Sequence, residues 1–130
     1  MKRTLTKKER LNSKKLIDKL FTEGKSFFVY PFKVYYIENS SEDKLPVQVL
    51  ISVSKRKFKN AADRNKIKRL VREAYRLNKK VLFEYLSGKE KQLAIGLIFT
   101  GQTILPFNQI ESKIILILQR LIEQDEQTVG

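Results

Sequence analysis

The stretch from Asn60 to Leu77 dictates a helix whose two faces make opposite demands. With Arg64 as zero and 100° per residue, Ile67, Leu70, Val71, Ala74 and Leu77 fall within an arc of about 120°. Arg64, Asn65, Lys68 and Arg72 share a different arc of about 100°, with Arg69 and Arg76 just beyond it. The apolar arc needs a core to bury against. The cationic arc needs a counter-charge, because helix faces that are merely solvated mix signs and gain i,i+4 pairs. From Lys55 to Lys80 there are twelve Lys and Arg against two acids, Asp63 and Glu73. Charges this dense repel one another, and an anionic partner relieves that repulsion. The pattern points to a polyanion-binding face rather than a solvated one.

The rest of the chain narrows the choice. Its 130 residues suit a single folded domain spanning 1–130, with 1–5 and 124–130 expected to fray. The net charge of +13 is unevenly spread: residues 81–130 carry four bases and six acids. A surplus confined to part of the chain suggests nucleic acid or an anionic surface as the partner. Cysteine and histidine are absent. That excludes disulfides, cysteine-based zinc sites, a histidine general base and any Cys/His nucleophile pair. No apolar core follows the charges at the N-terminus, so a secretory signal is not expected. The longest strongly apolar piece, Ile114–Leu118, is far too short to span a membrane. These features predict a cytoplasmic protein with no membrane partner.

Residue patterns predict the order α-β-β-α-β-α. A helix over 13–23 is capped by Ser13, striped by Leu16, Ile17, Leu20 and Phe21, and ended by Gly24. Thr6 and Glu9 have capping-box spacing ahead of it. Residues 26–38 read as one long aromatic and β-branched strand with an edge or bulge at Pro31. A second strand over 46–54 is expected to pair with it as a hairpin, across a polar turn at 39–44. The central helix should run from about residue 61 to 79 and continue through 81–83. Residues 92–100 read as a buried strand. A last helix follows Pro106, with Asn108 and Glu111 as a candidate capping box, and its apolar residues Ile110, Ile114, Ile115, Leu118, Leu121 and Ile122 mark it as a core helix. The fold class is α+β, a small mixed sheet packed with helices. If the strands flanking the central helix are parallel, a right-handed crossover is the general expectation.

Chemistry borne by the protein itself is hard to place. Metal-dependent hydrolysis needs carboxylates that converge. On one helix, Asp63 and Glu73 stand about 15 Å apart and cannot share a metal. Aromatics are the other resource, seven of thirteen lying between Phe21 and Tyr36. Along the strand, Phe32, Val34 and Tyr36 point one way and Lys33 and Tyr35 the other. The first set suits a core. The second suits either an amphipathic edge or a surface on which an unpaired base stacks. Three readings follow: an RNA-binding subunit, a general RNA-binding module without a processing role, and a protein nuclease, which the carboxylate spacing disfavours.

Val53-Ser54-Lys55-Arg56, Asn60-Ala61 and Arg64-Asn65-Lys66-Ile67-Lys68-Arg69-Leu70-Val71-Arg72-Glu73 closely resemble the arginine-rich signature of the bacterial ribonuclease P protein family. Arg10-Leu11, the helix through Phe21, Gly24, Phe32 and Tyr35 sit at that family's spacing. The resemblance implies a protein subunit of an endoribonuclease that trims the 5′ leader from precursor tRNA. In that family the RNA subunit is the catalyst and binds the magnesium, so no catalytic or metal-binding residue is expected here and no obligate protein partner is implied. It also implies a left-handed βαβ crossover, against the general expectation. Lys55, Arg56, Arg64, Asn65, Lys66, Lys68, Arg69 and Arg72 would face the RNA subunit. Ile17, Phe21, Lys33 and Tyr35 would line the cleft for the single-stranded leader. The chain departs from the family pattern at three places. Lys66 replaces an arginine and lacks its planar fork. Ile17 replaces a second aromatic. Gln48 and Leu50 stand where an Arg-x-Gly pair is common.

Overall fold

The computed structural model describes residues 5–39 and 45–128. After a short 3-10 turn at Lys7–Glu9 come α1 (Lys14–Glu23), β1 (Lys25–Val29), β2 (Phe32–Glu38), β3 (Val47–Val53), α2 (Ala61–Asn78), α3 (Lys80–Gly88), β4 (Leu93–Phe99) and α4 (Phe107–Thr128). The strands form one mixed sheet in the order β1-β2-β4-β3. This is the α+β class expected, with two corrections to the strands.

The run 26–38 is not one strand. Tyr30-Pro31 turns the chain, and β1 folds back on β2 with Phe28 opposite Lys33. Pro31 has no N–H to continue a ladder, so the strand stops where that donor is missing. Nor do β2 and β3 pair with each other. β4 lies between them, antiparallel to β2 and parallel to β3. Its sequence, Leu-Ala-Ile-Gly-Leu-Ile-Phe, carries no charge and can be covered on both faces, so burial places it at the centre. The expected turn at 39–44 falls mostly on residues 40–44, outside those described.

The two sheet faces are covered unequally. Phe32, Val34, Val49, Val53, Ile95, Leu97 and Phe99 meet Ile67, Val71 and Ala74 of α2 and Ile110, Ile114, Ile117 and Leu121 of α4 in the main core. On the other face Leu11, Leu20 and Ala94 form a small second cluster, with Leu16, Ile17, Tyr35, Ile37 and Leu50 packed around it. Within α4, Ile117 joins the buried set, while Ile115 is exposed, which corrects its expected place among the core residues. Helix α4 begins at Phe107, so Asn108 and Glu111 lie inside it rather than forming a cap. Glu111 instead accepts a hydrogen bond from Asn78 Nδ2 at 3.0 Å. Helix α4 runs on to Thr128, and within its last turns Asp125 accepts from Tyr85 Oη at 2.7 Å and Lys91 Nζ at 3.0 Å.

The N-terminal segment is a strap. Leu5 packs against the main core. Thr6 donates its backbone N–H to Glu9 Oε2 at 2.7 Å and its hydroxyl to the same oxygen at 3.0 Å. Leu11 N–H then bonds Val49 C=O at 2.9 Å, and Gln48 Nε2 donates to Lys8 C=O at 3.1 Å. The strap thereby covers the β3 edge of the sheet, an edge that would otherwise offer unpaired groups. Glu9 and Lys79, both buried, meet at 2.5 Å and fasten it to the joint between α2 and α3. The expected continuation of α2 is this joint: α2 ends at Asn78, Lys79 keeps helical angles, and α3 follows.

Candidate nucleic-acid interface

The loop that leads into α2 is built around two anchors. Phe58 is buried against Phe99, with ring centroids 6.1 Å apart. Arg64 Nη1 reaches back to the carbonyls of Phe58 and Lys59, at 2.6 and 3.0 Å. Asn60 Oδ1 caps α2 by accepting from Ala62 N–H at 2.8 Å. With the loop so held, Lys55 and Arg56 stand in solvent. Lys57 Nζ donates to Thr100 C=O at 2.6 Å, beside the β1–β2 turn, where Thr100 N–H bonds Pro31 C=O at 2.7 Å.

The polar side chains of α2 divide into two sets. The amide of Asn65 and the cations Lys66 and Arg69 are exposed and form a ridge. Arg64, Lys68 and Arg72 are half-buried. A helical wheel misses this division because it assumes one packing partner, and the strap supplies a second. Tyr75 shows the consequence most clearly. It projects within the cationic arc, yet it is fully buried, and its hydroxyl finds no partner among the described residues. Burial, and then the Glu9 carboxylate, push its phenol far above the ordinary tyrosine value.

Between strap and helix lies a groove of about 380 Å³, lined by Arg10, Asn12, Leu50, Lys68 and Arg72 among others. Arg10 faces Lys68 and Arg72 across it. Partial burial, followed by the Arg10 and Arg69 guanidiniums, lowers the pKa of Arg72. Arg10 and Asn12 were not among the candidate site residues, because only the folded strap brings them to α2. Arg76 is occupied differently, in an ion pair with Glu73 one turn away. Among the described residues, no three Asp or Glu side chains come together as a metal site.

The groove opens at Leu50 onto the lightly covered face of the sheet. One row across that face reads Tyr35, Gly96, Leu50, and the next reads Lys33, Ile98, Ser52. Helix α1 borders it. Ser13 Oγ accepts from Leu16 N–H at 3.3 Å to start the helix. Gly24 ends it, since a Cβ there would stand 2.3 Å from the Leu20 carbonyl oxygen. Gly96 lets α1 come close: a Cβ would meet Leu20 Cδ2 at 3.2 Å and Phe21 Cζ at 3.8 Å. Phe21 packs edge-on against Tyr35 at 4.8 Å, and Lys33 Nζ lies 5.1 Å from the Tyr35 ring centre. Ile17 is half-buried in the small cluster beneath. The sequence expectation that Lys33 and Tyr35 share a face opposite Phe32 and Val34 is met, and Phe21 and Ile17 join them there.

A mixed face of this kind, cations in a groove leading to aromatic rings on an open sheet, has the chemistry of a single-strand nucleic-acid surface. Comparison with known proteins agrees with the resemblance. The family model described as Ribonuclease P matches residues 5–121. The ribonuclease P protein component of Porphyromonas gingivalis is 39% identical over 107 residues, which is 82% of this chain and 78% of that one. That of Petrotoga mobilis is 31% identical over 121 residues, 91% of this chain and 95% of that one. The solved ribonuclease P protein of Thermotoga maritima superposes with a TM-score of 0.69 at 28% identity, covering 85% of this chain and 96% of that one. The chain therefore belongs to the ribonuclease P protein family, the protein component of a tRNA-processing nuclease.

Proposed function

We propose that this chain binds a catalytic ribonuclease P RNA and holds the single-stranded 5′ leader of precursor tRNA while that RNA cuts it. Lys55, Arg56, Asn65, Lys66 and Arg69 offer exposed contacts to the RNA subunit, and Lys68 and Arg72 offer a groove wall for its phosphates. Arg64 serves partly by holding the loop that presents Lys55 and Arg56. Phe21, Tyr35, Lys33 and Ile17 receive the leader, the rings stacking bases and the lysine meeting the backbone. In this reading magnesium is carried by the RNA, which supplies the metal-assisted hydrolysis. The work is done in the cytoplasm and needs no further protein.

The observation that carries the reading is continuity. The cationic groove and the aromatic cleft meet at Leu50, so phosphates of the RNA subunit and bases of the leader can be held side by side on one surface. The test is reconstitution with a bacterial ribonuclease P RNA and precursor tRNA at low magnesium, omitting each component in turn. Leader release that needs the RNA and rises with the protein is the expected result. Cleavage by the purified protein alone, or no enhancement with its own RNA, would overturn the reading.

A further inference from the structure

The cleft assigned above ends at Lys33, but the surface that forms it does not. In an antiparallel pair, residues directly opposite point to the same face. Phe28 lies opposite Lys33, so it stands on the face that carries Tyr35 and Phe21. Its neighbour Phe27 points the other way, against the core, with the Arg120 guanidinium 4.7 Å from its ring centre. The Tyr30 ring lies 6.2 Å from that of Phe28, tilted by 56°. Phe28 is 53% exposed and Tyr30 60%. Single exposed aromatics need no explanation. Here, however, the exposed aromatics of the described residues are Phe21, Phe28 and Tyr30: the first two border one sheet face, and the ring of Tyr30 adjoins that of Phe28. Tyr35 and Phe28 are diagonal neighbours, at the roughly 7–8 Å typical of such pairs.

We propose that the single-strand track continues from Tyr35 past Lys33 onto Phe28 and Tyr30, where the β1–β2 hairpin stacks further bases of the leader. This rests on the cleft reading and extends it. The chemistry is that of a stacking platform beside cations, tolerant of base identity because every base has a flat face. Lys33 stands between the two ring pairs, and Lys57 is tied through Thr100 to the turn that holds Tyr30. The bases held there are those farther from the cut. β1 is the sheet edge opposite β3, beside which α2 and the strap present their cations to the catalytic RNA. Phe28 and Tyr30 are thus specificity residues for leader length, and the hairpin adds affinity only when a leader reaches it.

The test uses the reconstituted holoenzyme and precursor tRNAs with leaders of about four and about ten nucleotides, within the span of single-strand sites. A Phe28→Ala/Tyr30→Ala double variant should lose about tenfold in affinity for the long leader, the change expected for one stacked base. Its affinity for the short leader should be unchanged, and a Phe28→Tyr/Tyr30→Phe variant should bind both leaders normally. Tyr35→Ala should weaken both. If the alanine double variant binds the long leader normally while Tyr35→Ala weakens both, the extension is wrong and the cleft stands. If Tyr35→Ala weakens neither, the cleft reading falls and the extension with it. Loss of a self-association in sedimentation, with leader binding intact, would make the hairpin a contact between copies of the chain and overturn the proposal.

Discussion

Arg64 and Arg72 lie eight residues apart on α2 and make different contacts. Arg64 Nη1 is engaged by two backbone carbonyls, whereas Arg72 faces Arg10 across an open groove. Arg72→Ala or Arg10→Ala should each reduce the slope of log affinity against log salt by about one unit, as loss of one phosphate contact does. Titrating the RNA subunit over a range of salt measures this, and unchanged slopes in both variants would remove the groove from the interface. Arg64→Ala should act more through stability, since hydrogen bonds from a charged donor contribute roughly 1.5–3 kcal/mol and half-exposure lowers that. The difference between the two arginines is invisible in the sequence, where both fall on one arc. Arg10 was legible only as part of a family pattern. Phe28 and Tyr30 were legible as strand residues, but their common face with Lys33 depends on the turn at Pro31.

Elements are held by devices that the sequence shows unevenly. The caps of α1 and α2, at Ser13 and Asn60, are local and were readable from adjacent residues. The β4 run was readable as buried, and its lack of charge could have placed it at the centre of the sheet. Pairing β2 with β3 instead followed their closeness in sequence, and burial outweighs closeness. The strap is different in kind, because Glu9 finds Lys79 seventy residues away. Removing one partner of a buried ion pair is strongly destabilising, by about 3–5 kcal/mol. Glu9→Ala should therefore lower unfolding free energy by about that much in urea titration. A double-mutant cycle with Lys79 should show strong coupling. Additive losses would mean that the pair does not hold the strap.

Across the molecule, charge and closure are separated. The bases concentrate on α2, its preceding loop and the strap, while residues 81–130 have more acids than bases. At that second end Asp125 joins α4 to α3 through Tyr85 and to the approach to β4 through Lys91. Burial first, then the hydrogen bond to Asp125, push the Tyr85 phenol up to about 12. A raised folded pKa stabilises the fold fully below the ordinary tyrosine value of about 10 and loses that contribution as pH rises toward 12. The stability advantage of the unaltered chain over Tyr85→Phe should thus be constant from pH 7 to about 9.5 and shrink above it. An advantage that grows with alkalinity would refute the assignment.

The division of the apolar side chains into a large cluster and a small one has a consequence for time. Helix α1 is fastened by Leu20 and its few neighbours, whereas α2 and α4 share the main core. Segments with few buried contacts open at free energies well below that of global unfolding. Amides of α1 should therefore exchange with deuterium long before those of α2 and α4, and equal protection would show a single cooperative unit. Because α1 carries Phe21, such openings would make one jaw of the cleft a moving part hinged on a rigid plate. A bound strand would slow its exchange by holding the jaw shut.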